Sequence, residues 1–187
     1  MPSPHPLAER LIERLQPGAP ARILDFASGS GRNAGAIRSA GFEVLAVDDG
    51  TAASDAPLAG VAPGFAAAIS THGLLHGTPA RIAAALRAIG DRLVPGGLLF
   101  ATFGSTRDAR FGEGTRIADF TYAPADGDER GVAHAYFDRE RLHTLLEPSF
   151  EIESLEERGV DEIAGAWAHL ERPLAGAAHW FAIARKR

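Results

Sequence analysis

The sequence contains no cysteine among its 187 residues. It therefore cannot form a disulfide, use a thiolate nucleophile or bind zinc through cysteine. It also has no apolar run near the ~20 residues that a membrane span requires. Its first residues, MPSPHPLAER, lack the basic start and the apolar stretch of a signal peptide. We therefore expect a cytoplasmic protein with no membrane partner.

Positive charge is also scarce. Lys and Arg total 19 against 24 Asp and Glu, which gives a net charge of -5, and the basic cluster 185–187 is a terminal tail. Nucleic-acid-binding proteins carry a concentrated basic surface, so no nucleic-acid partner is expected. The 45% of apolar residues suffices for one domain with a core. We expect a single domain over residues 1–187, as a monomer or a homodimer.

Apolar runs alternate with amphipathic segments along the chain. Strands are predicted over 22–26, 42–48, 65–71, 98–103, 150–160 and 177–186. Helices are predicted over 7–16, 33–40, 79–93, 137–147 and around 161–170. This alternation predicts an α/β, Rossmann-like open and mostly parallel sheet with helices on both faces and an antiparallel last strand. Ligands of such sheets bind beyond the carboxyl ends of the strands.

The stretch ILDFASGSGRNAG (23–35) joins a predicted strand to a predicted helix. Gly29, Gly31 and Ala34 fit the spacing of a dinucleotide-binding turn. Asp25, however, ends the strand where an anionic pyrophosphate would approach. A carboxylate at this position favours a ligand with a cationic ammonium or sulfonium group.

Three motifs in order, ILDFASGSGR, GFEVLAVD and LVPGGLLFATF, resemble the class I S-adenosylmethionine (SAM)-dependent methyltransferases of the compact, small-molecule type. The resemblance covers residues 20–105 by motif and the remainder by topology. It implies SAM as the cofactor and methyl transfer to a small-molecule acceptor. The alternative is a methyltransferase-fold protein without activity that serves as a binding or partner subunit.

The resemblance also implies a cofactor site. Asp25 would lie near the amino end of the methionine part of SAM, and Asp48 would accept hydrogen bonds from the two ribose hydroxyls. The remaining predicted cofactor-binding residues are Ala27, Ser28, Gly29, Gly31, Asn33, Asp49, Asp55, Ser70 and Thr71. For Asp25 and Asp48 the alternative is a carboxylate that ends a strand or caps a helix.

Only sixteen residues separate Asp48 from Phe65. The family usually places a helix, a third strand and a second acidic turn there, but a crossover alone takes ~10–12 residues. We therefore expect a shortened third βα unit, with no helix longer than about two turns. The segment SDAPL (54–58) resembles the family's adenine-contacting segment, and this resemblance implies that Asp55 binds the adenine amino group. The alternative is that the segment is only a polar loop.

The candidate catalytic residues are His72, His134 and Tyr136. His72 follows the strand 65–71, and residues at this position line the methyl-transfer opening in the family. A general base is needed only if the acceptor carries a proton at neutral pH. His72 and His76 have the spacing of metal ligands on a helix. The neighbouring Gly73 and Gly77 disfavour a helix, and the sequence nominates no third ligand, so no metal is expected.

Residues 104–136 form a long polar connector that follows the strand 98–103. Connectors of this length inside compact domains are usually functional covers or disordered. We expect a lid over the acceptor site, in which Arg107, Arg110 and Tyr122 contact the substrate. The alternative is that the charged residues tie the connector to the domain through its aspartates Asp108, Asp119, Asp126 and Asp128.

Overall fold

A computed structural model describes residues 3–16, 20–48, 58–159 and 176–187. The helices are α1 (Pro6–Leu15), α2 (Arg32–Ser39), α3 (Pro79–Arg92) and α4 (Arg139–Leu146). The strands are β1 (Arg22–Phe26), β2 (Glu43–Val47), β3 (Phe65–Ser70), β4 (Leu93–Ser105), β5 (Thr115–Ala118), β6 (Thr121–Ala123), β7 (His134–Phe137), β8 (Phe150–Gly159) and β9 (Ala178–Lys186). None of the helices in these ranges is long and apolar enough to cross a membrane. The predicted helix around 161–170 lies outside the described residues.

The sheet places β1 between β2 and β3, and β1 is parallel to both. Strand β3 is parallel to β4, whereas β9 runs antiparallel to both β4 and β8. The predicted open, mostly parallel sheet with an antiparallel last strand is confirmed. Residues 49–57, where a third βα unit would begin, lie outside the described residues, and residues 58–64 contain no helix.

Alternate residues of the strands pack into two cores, one on each face of the sheet, because successive strand side chains point to opposite sides. Ile23 packs with Leu7 of α1 and Ile37 of α2. Leu24 packs with Ile82 of α3 and with α4. Burying one such side chain fully stabilises the fold by ~1.5–3 kcal/mol. The prediction of helices on both faces is therefore confirmed.

The connector 104–136 contains more regular structure than its composition predicted. Strands β5, β6 and β7 form an antiparallel meander. Strand β7 then runs parallel to the last two residues of β4, with Gly104 opposite Tyr136 and Ser105 opposite Phe137. Gly104 allows this approach, since a Cβ there would lie 2.7 Å from the carbonyl oxygen of Ala135.

Strand β4 begins earlier than the predicted 98–103. Leu93 already pairs with Phe65, and the register then shifts so that Leu98 pairs with Ala67. The sequence PGG at 95–97 therefore forms a bulge inside the strand rather than a turn before it.

Candidate functional site

The turn after β1 contains three residues in the left-handed region: Ala27 (φ 55°), Gly29 (φ 50°) and Gly31 (φ 72°). A Cβ at Gly29 or Gly31 would meet no protein atom within 4 Å. The two glycines are therefore required by the left-handed backbone conformation of the turn and not by close packing against other protein atoms. Their open side leaves the main chain accessible to a ligand. Helix α2 begins at Arg32, directly after Gly31.

Asp25 lies beneath this turn and is only 1% exposed. Its Oδ2 accepts a hydrogen bond of 3.0 Å from the backbone N–H of Ala34 in α2. Burial raises the pKa of Asp25 to about 7, although the Ala34 N–H and the charges of Arg38 and Arg32 act in the opposite direction. The contact with Ala34 matches the helix-capping alternative. With this raised pKa, Asp25 is partly protonated at neutral pH, and a cationic ligand beside it would shift it to the ionised form.

Asp48 lies beside the same turn. It follows Val47, which pairs with Phe26 and whose carbonyl oxygen accepts a hydrogen bond of 3.2 Å from the N–H of Ser28. The carboxylate of Asp48 is exposed, so a ligand lying across the turn can reach it. The predicted cofactor residues Asp49 and Asp55 lie outside the described residues.

Asn33 links three parts of the chain through its buried amide. Its Oδ1 accepts a hydrogen bond of 3.0 Å from the N–H of His5, and its Nδ2 donates one of 2.8 Å to Thr71 Oγ1. Thr71 and Ser70 are themselves buried at the end of β3. Asn33 therefore joins α2 to the end of β3 and to the segment before α1, and the contact of Asn33, Ser70 and Thr71 with a cofactor stays a prediction.

His72 follows β3 with a φ of 64°, and its N–H donates a hydrogen bond of 2.7 Å to Thr102 Oγ1. Its ring centroid lies 5.5 Å from that of His5 and 5.1 Å from that of His179. Burial, reinforced by His179 and His5, lowers the pKa of His72 well below 6.5. The ring is therefore neutral at neutral pH and a weak base, which argues against proton abstraction by His72, and its contact with an acceptor stays a prediction.

Gly73 brings the loop after β3 against the glycine turn. A Cβ at Gly73 would lie 2.4 Å from the Cβ of Ala27 and 2.8 Å from Ser70 Oγ. Only glycine permits this approach. The sequence marked Gly73 as a helix breaker, and its packing role was missed because Ala27 is distant along the chain.

The charged residues of the connector have partners within the protein. Arg110 binds Asp108 through Nε–Oδ1 and Nη2–Oδ2 contacts of 3.0 and 3.2 Å. Burial alone would raise the pKa of Asp108, but the hydrogen bond and charge of Arg110 outweigh it and lower this pKa. Arg107 donates a hydrogen bond of 2.9 Å to Glu157 of β8. Arg107 therefore ties the connector to β8 through Glu157. The pair of Arg110 and Asp108 is tied to β9 through Asp108, whose Oδ2 accepts a hydrogen bond of 2.9 Å from the N–H of Ala178.

The aromatic residues of the connector pack against one another. The ring centroid of Phe111 lies 5.5 Å from those of Tyr122 and Tyr136 and 5.6 Å from that of Phe120. Burial raises the pKa of Tyr136 to about 12, so its hydroxyl group remains protonated and can donate a hydrogen bond. His134 faces Glu129 at 3.1 Å, and sequence reasoning missed Glu129 as a neighbour.

A cavity of about 630 Å³ lies between α3, α4 and the connector. Its lining includes Leu86, Phe120, Tyr136 and Arg141. Of the predicted site residues that the structure describes, Tyr136 alone lines it. The cavity therefore lies on the connector side of the molecule and not over the glycine turn.

The fold is similar to that of solved SAM-dependent methyltransferases. One from Methanosarcina mazei has a TM-score of 0.71 at 17% identity, with 95% of this chain and 96% of the other covered. The 1,6-didemethyltoxoflavin-N1-methyltransferase of Burkholderia thailandensis, solved with S-adenosylhomocysteine, has a TM-score of 0.67 at 22% identity, with coverage of 97% and 76%. The cyclase SpnF has a TM-score of 0.56 at 20% identity, with coverage of 97% and 80%.

The chain therefore has the class I SAM-dependent methyltransferase fold. No protein-family model matches its sequence, and no curated protein does so either. Because the identities to the solved structures are low, these likenesses define the fold, and the activity has to be argued from the site.

Proposed function

We propose that the protein is a SAM-dependent methyltransferase that transfers a methyl group to a small-molecule acceptor in the cytoplasm. The observation that carries the proposal is the turn 27–31. Its left-handed glycines have an open side, and it lies between a buried carboxylate, Asp25, and an exposed one, Asp48. In an α/β sheet of this fold, ligands bind at this position.

The residues of the turn fit the cofactor chemically. SAM supplies an electrophilic methyl group on a sulfonium, which an acceptor atom takes by in-line displacement. Gly29 and Gly31 would leave the main chain open to the methionine part, Asp25 would balance its ammonium charge, and Asp48 would accept hydrogen bonds from the ribose. Alignment alone can supply ~7–11 kcal/mol, so the protein's main task is positioning.

The connector would supply the acceptor side. The rings of Phe111, Tyr122 and Tyr136 form an apolar surface next to the protonated Tyr136 hydroxyl group, and Arg107, which pairs with Glu157 but keeps 79% of its side chain exposed, could also contact a polar group of the acceptor. This combination suits a small acceptor with an apolar body and a polar or anionic group. One structural neighbour is named for its action on such a compound, 1,6-didemethyltoxoflavin.

Calorimetric titration with SAM and with S-adenosylhomocysteine tests the cofactor part of the proposal. We expect saturable binding in the micromolar range. Incorporation of labelled methyl groups into fractionated metabolite pools then tests the activity and identifies the acceptor. An absence of binding at millimolar SAM would contradict the proposal.

The second candidate function is a protein of this fold that does not transfer methyl groups. The sixteen residues between Asp48 and Phe65 favour it, because they are too few for a full βα unit beside the adenine. The similarity to the cyclase SpnF shows that the fold also occurs in a protein named for another reaction. SAM binding without methyl incorporation into any pool would favour this candidate.

A further inference from the structure

His76 and His134 lie side by side where the loop after β3 meets the start of β7. They are partners in an antiparallel bridge, and two backbone hydrogen bonds of 2.6 and 2.8 Å flank the pair. In an antiparallel pair that does not itself exchange hydrogen bonds, opposing side chains lie closest. The two imidazole centroids are accordingly 4.8 Å apart.

Glu129 completes this group from the turn before β7. Its Oε1 lies 3.3 Å from His76 Nε2, and its Oε2 lies 3.1 Å from His134 Nε2. One ligand atom from each of the three residues lies within 4.8 Å of the others. The two histidine side chains are almost fully buried, while Glu129 is 31% exposed and connects the group to the surface.

The hydrogen bonds of His134 determine which nitrogen of the ring is available. Nδ1 lies 2.8 Å from the carbonyl oxygen of Val132, so Nδ1 carries a proton. In a neutral ring, Nε2 then presents a lone pair, and it faces the lone pairs of the Glu129 carboxylate at 3.1 Å. Two acceptors at this distance repel each other, unless Nε2 is protonated or a cation binds between them.

We propose that His76, Glu129 and His134 bind a divalent transition-metal ion of the Zn²⁺ type. Two imidazoles and one carboxylate are a ligand set for such ions, and three protein ligands leave a coordination position for water or a substrate group. Ligand atoms with bonds of ~2.1 Å to a tetrahedral ion lie ~3.4 Å apart. The observed 3.3 and 3.1 Å join the two histidines to different oxygens of Glu129, so both Nε2 atoms and one oxygen, which lie within 4.8 Å of one another, would draw together around the ion. The Val132 carbonyl would orient His134, as outer partners do in metal sites.

Arg110 is the charged group that competes with a metal ion for Glu129. Its Nη1 lies 3.9 Å from Glu129 Oε2, but its Nε and Nη2 are bound to Asp108. Asp108 therefore balances the charge of Arg110, and the charge of Glu129 remains available to a metal ion. A bound ion would join the connector to the loop that begins at His72.

The test is a titration of chelator-treated protein, without an affinity tag, with Zn²⁺. We expect one ion per chain and a higher melting temperature with Zn²⁺. His134→Gln and Glu129→Gln should each weaken Zn²⁺ binding by at least ~100-fold, since the loss of outer partners alone costs ~10–100-fold. His143→Gln, which removes an exposed histidine of α4, is the matched control and should leave binding unchanged. Mg²⁺, which prefers oxygen ligands, should not compete.

Either of two results would overturn the proposal: no saturable Zn²⁺ binding by the wild-type protein, or equal binding by the wild type and His134→Gln. Co²⁺ provides a readout that requires no variant. The wild-type protein should develop the visible absorption bands of low-coordinate Co²⁺, and Zn²⁺ should remove them. A wild-type spectrum that stays that of hydrated Co²⁺ would show that the three residues form only a hydrogen-bonded group.

Discussion

The glycine turn and the connector are held in place in different ways. The turn 27–31 is shaped mostly by its own stretch of sequence, through the left-handed glycines and Asp25 beneath α2, and it is joined by Asp48 from the end of β2 and by Gly73, which packs against Ala27. The connector 104–136 is held by contacts to distant residues, such as Asp108 with the N–H of Ala178 and Glu129 with His76. A site built from local chemistry is fixed by its own motif, whereas the connector depends on the rest of the fold.

Removal of the connector's outer part should have the largest effect on activity. The variant replaces residues 112–128, which contain β5 and β6, with a short glycine-serine linker between Phe111 and Glu129. Methyl transfer to an acceptor identified for the wild type should fall by at least ~100-fold, because water exclusion and acceptor alignment are lost. SAM affinity, measured by calorimetry, should change by less than ~3-fold. Full turnover without this segment would show that the connector only packs.

Asp108→Ala should cause the next largest change, in the free energy of unfolding. The substitution removes both hydrogen bonds of the Arg110 guanidinium to Asp108, leaves it only Glu129 at 3.9 Å, and leaves the N–H of Ala178 without its acceptor, which should cost ~2–4 kcal/mol. The exposed pair of Arg116 and Asp119 is the control, since Asp119→Ala should cost less than ~1 kcal/mol. Urea denaturation compares the two variants, and equal losses would contradict the anchoring role of Asp108.

Asp48→Ala should weaken SAM binding by ~1.5–3 kcal/mol, the range for hydrogen bonds to a charged group. Stability should change little, because the Asp48 carboxylate is exposed at a strand end. Glu43→Ala removes an exposed carboxylate at the opposite end of the same strand, and it should leave SAM affinity unchanged. If Asp48→Ala unfolds the protein while affinity per folded molecule is preserved, the carboxylate is structural.

Gly31→Ala and Gly41→Ala separate backbone strain from ligand contact. Both glycines have positive φ, at 72° and 96°, and a Cβ at either would meet no protein atom within 4 Å. Each substitution should therefore cost ~1–2 kcal/mol of stability. Only Gly31→Ala should also weaken SAM binding, by about 10-fold. Calorimetry that finds the same affinity for both variants would contradict the assignment of the turn.

SAM affinity should also depend on pH. Because the pKa of Asp25 is raised to about 7 and a cationic ligand favours its ionised form, binding below pH 7 must release a proton. Affinity should rise by up to ~10-fold per pH unit until about pH 7 and then level off. Asp25→Asn should remove this slope in calorimetric titrations, and an unchanged slope would assign it to another group.

The same pKa gives the sign of a stability effect. Between the ordinary pKa of 3.8 and about 7, the folded protein keeps a proton on Asp25 that the unfolded chain has lost. The contribution of Asp25 to the free energy of unfolding therefore falls as pH rises through this window. Asp25→Asn should lack that fall, which denaturation at several pH values measures.

The contrast between turn and connector also explains how much the sequence predicted. Strands and helices with long apolar patterns were predicted with ends close to those observed, except that β4 begins at Leu93 instead of 98, and the turn 27–31 has its glycines where left-handed backbone is needed. The strands β5 and β6 were not predicted, because three or four residues in a polar segment show no alternation. The sequence could not connect Glu129 with His76, because they are 53 positions apart and only the fold brings them together.

Strand β4 divides one of its edges between two partners. Residues 93–101 pair with β3 and residues 104–105 pair with β7, while β9 pairs with residues 98–104 along the opposite edge, since Gly104 has partners in both β7 and β9. The meander is therefore attached to the sheet by the last two residues of a thirteen-residue strand. In evolutionary terms, this arrangement would allow the proposed acceptor side to be exchanged by replacing the meander, while the strands that flank the glycine turn keep their partners.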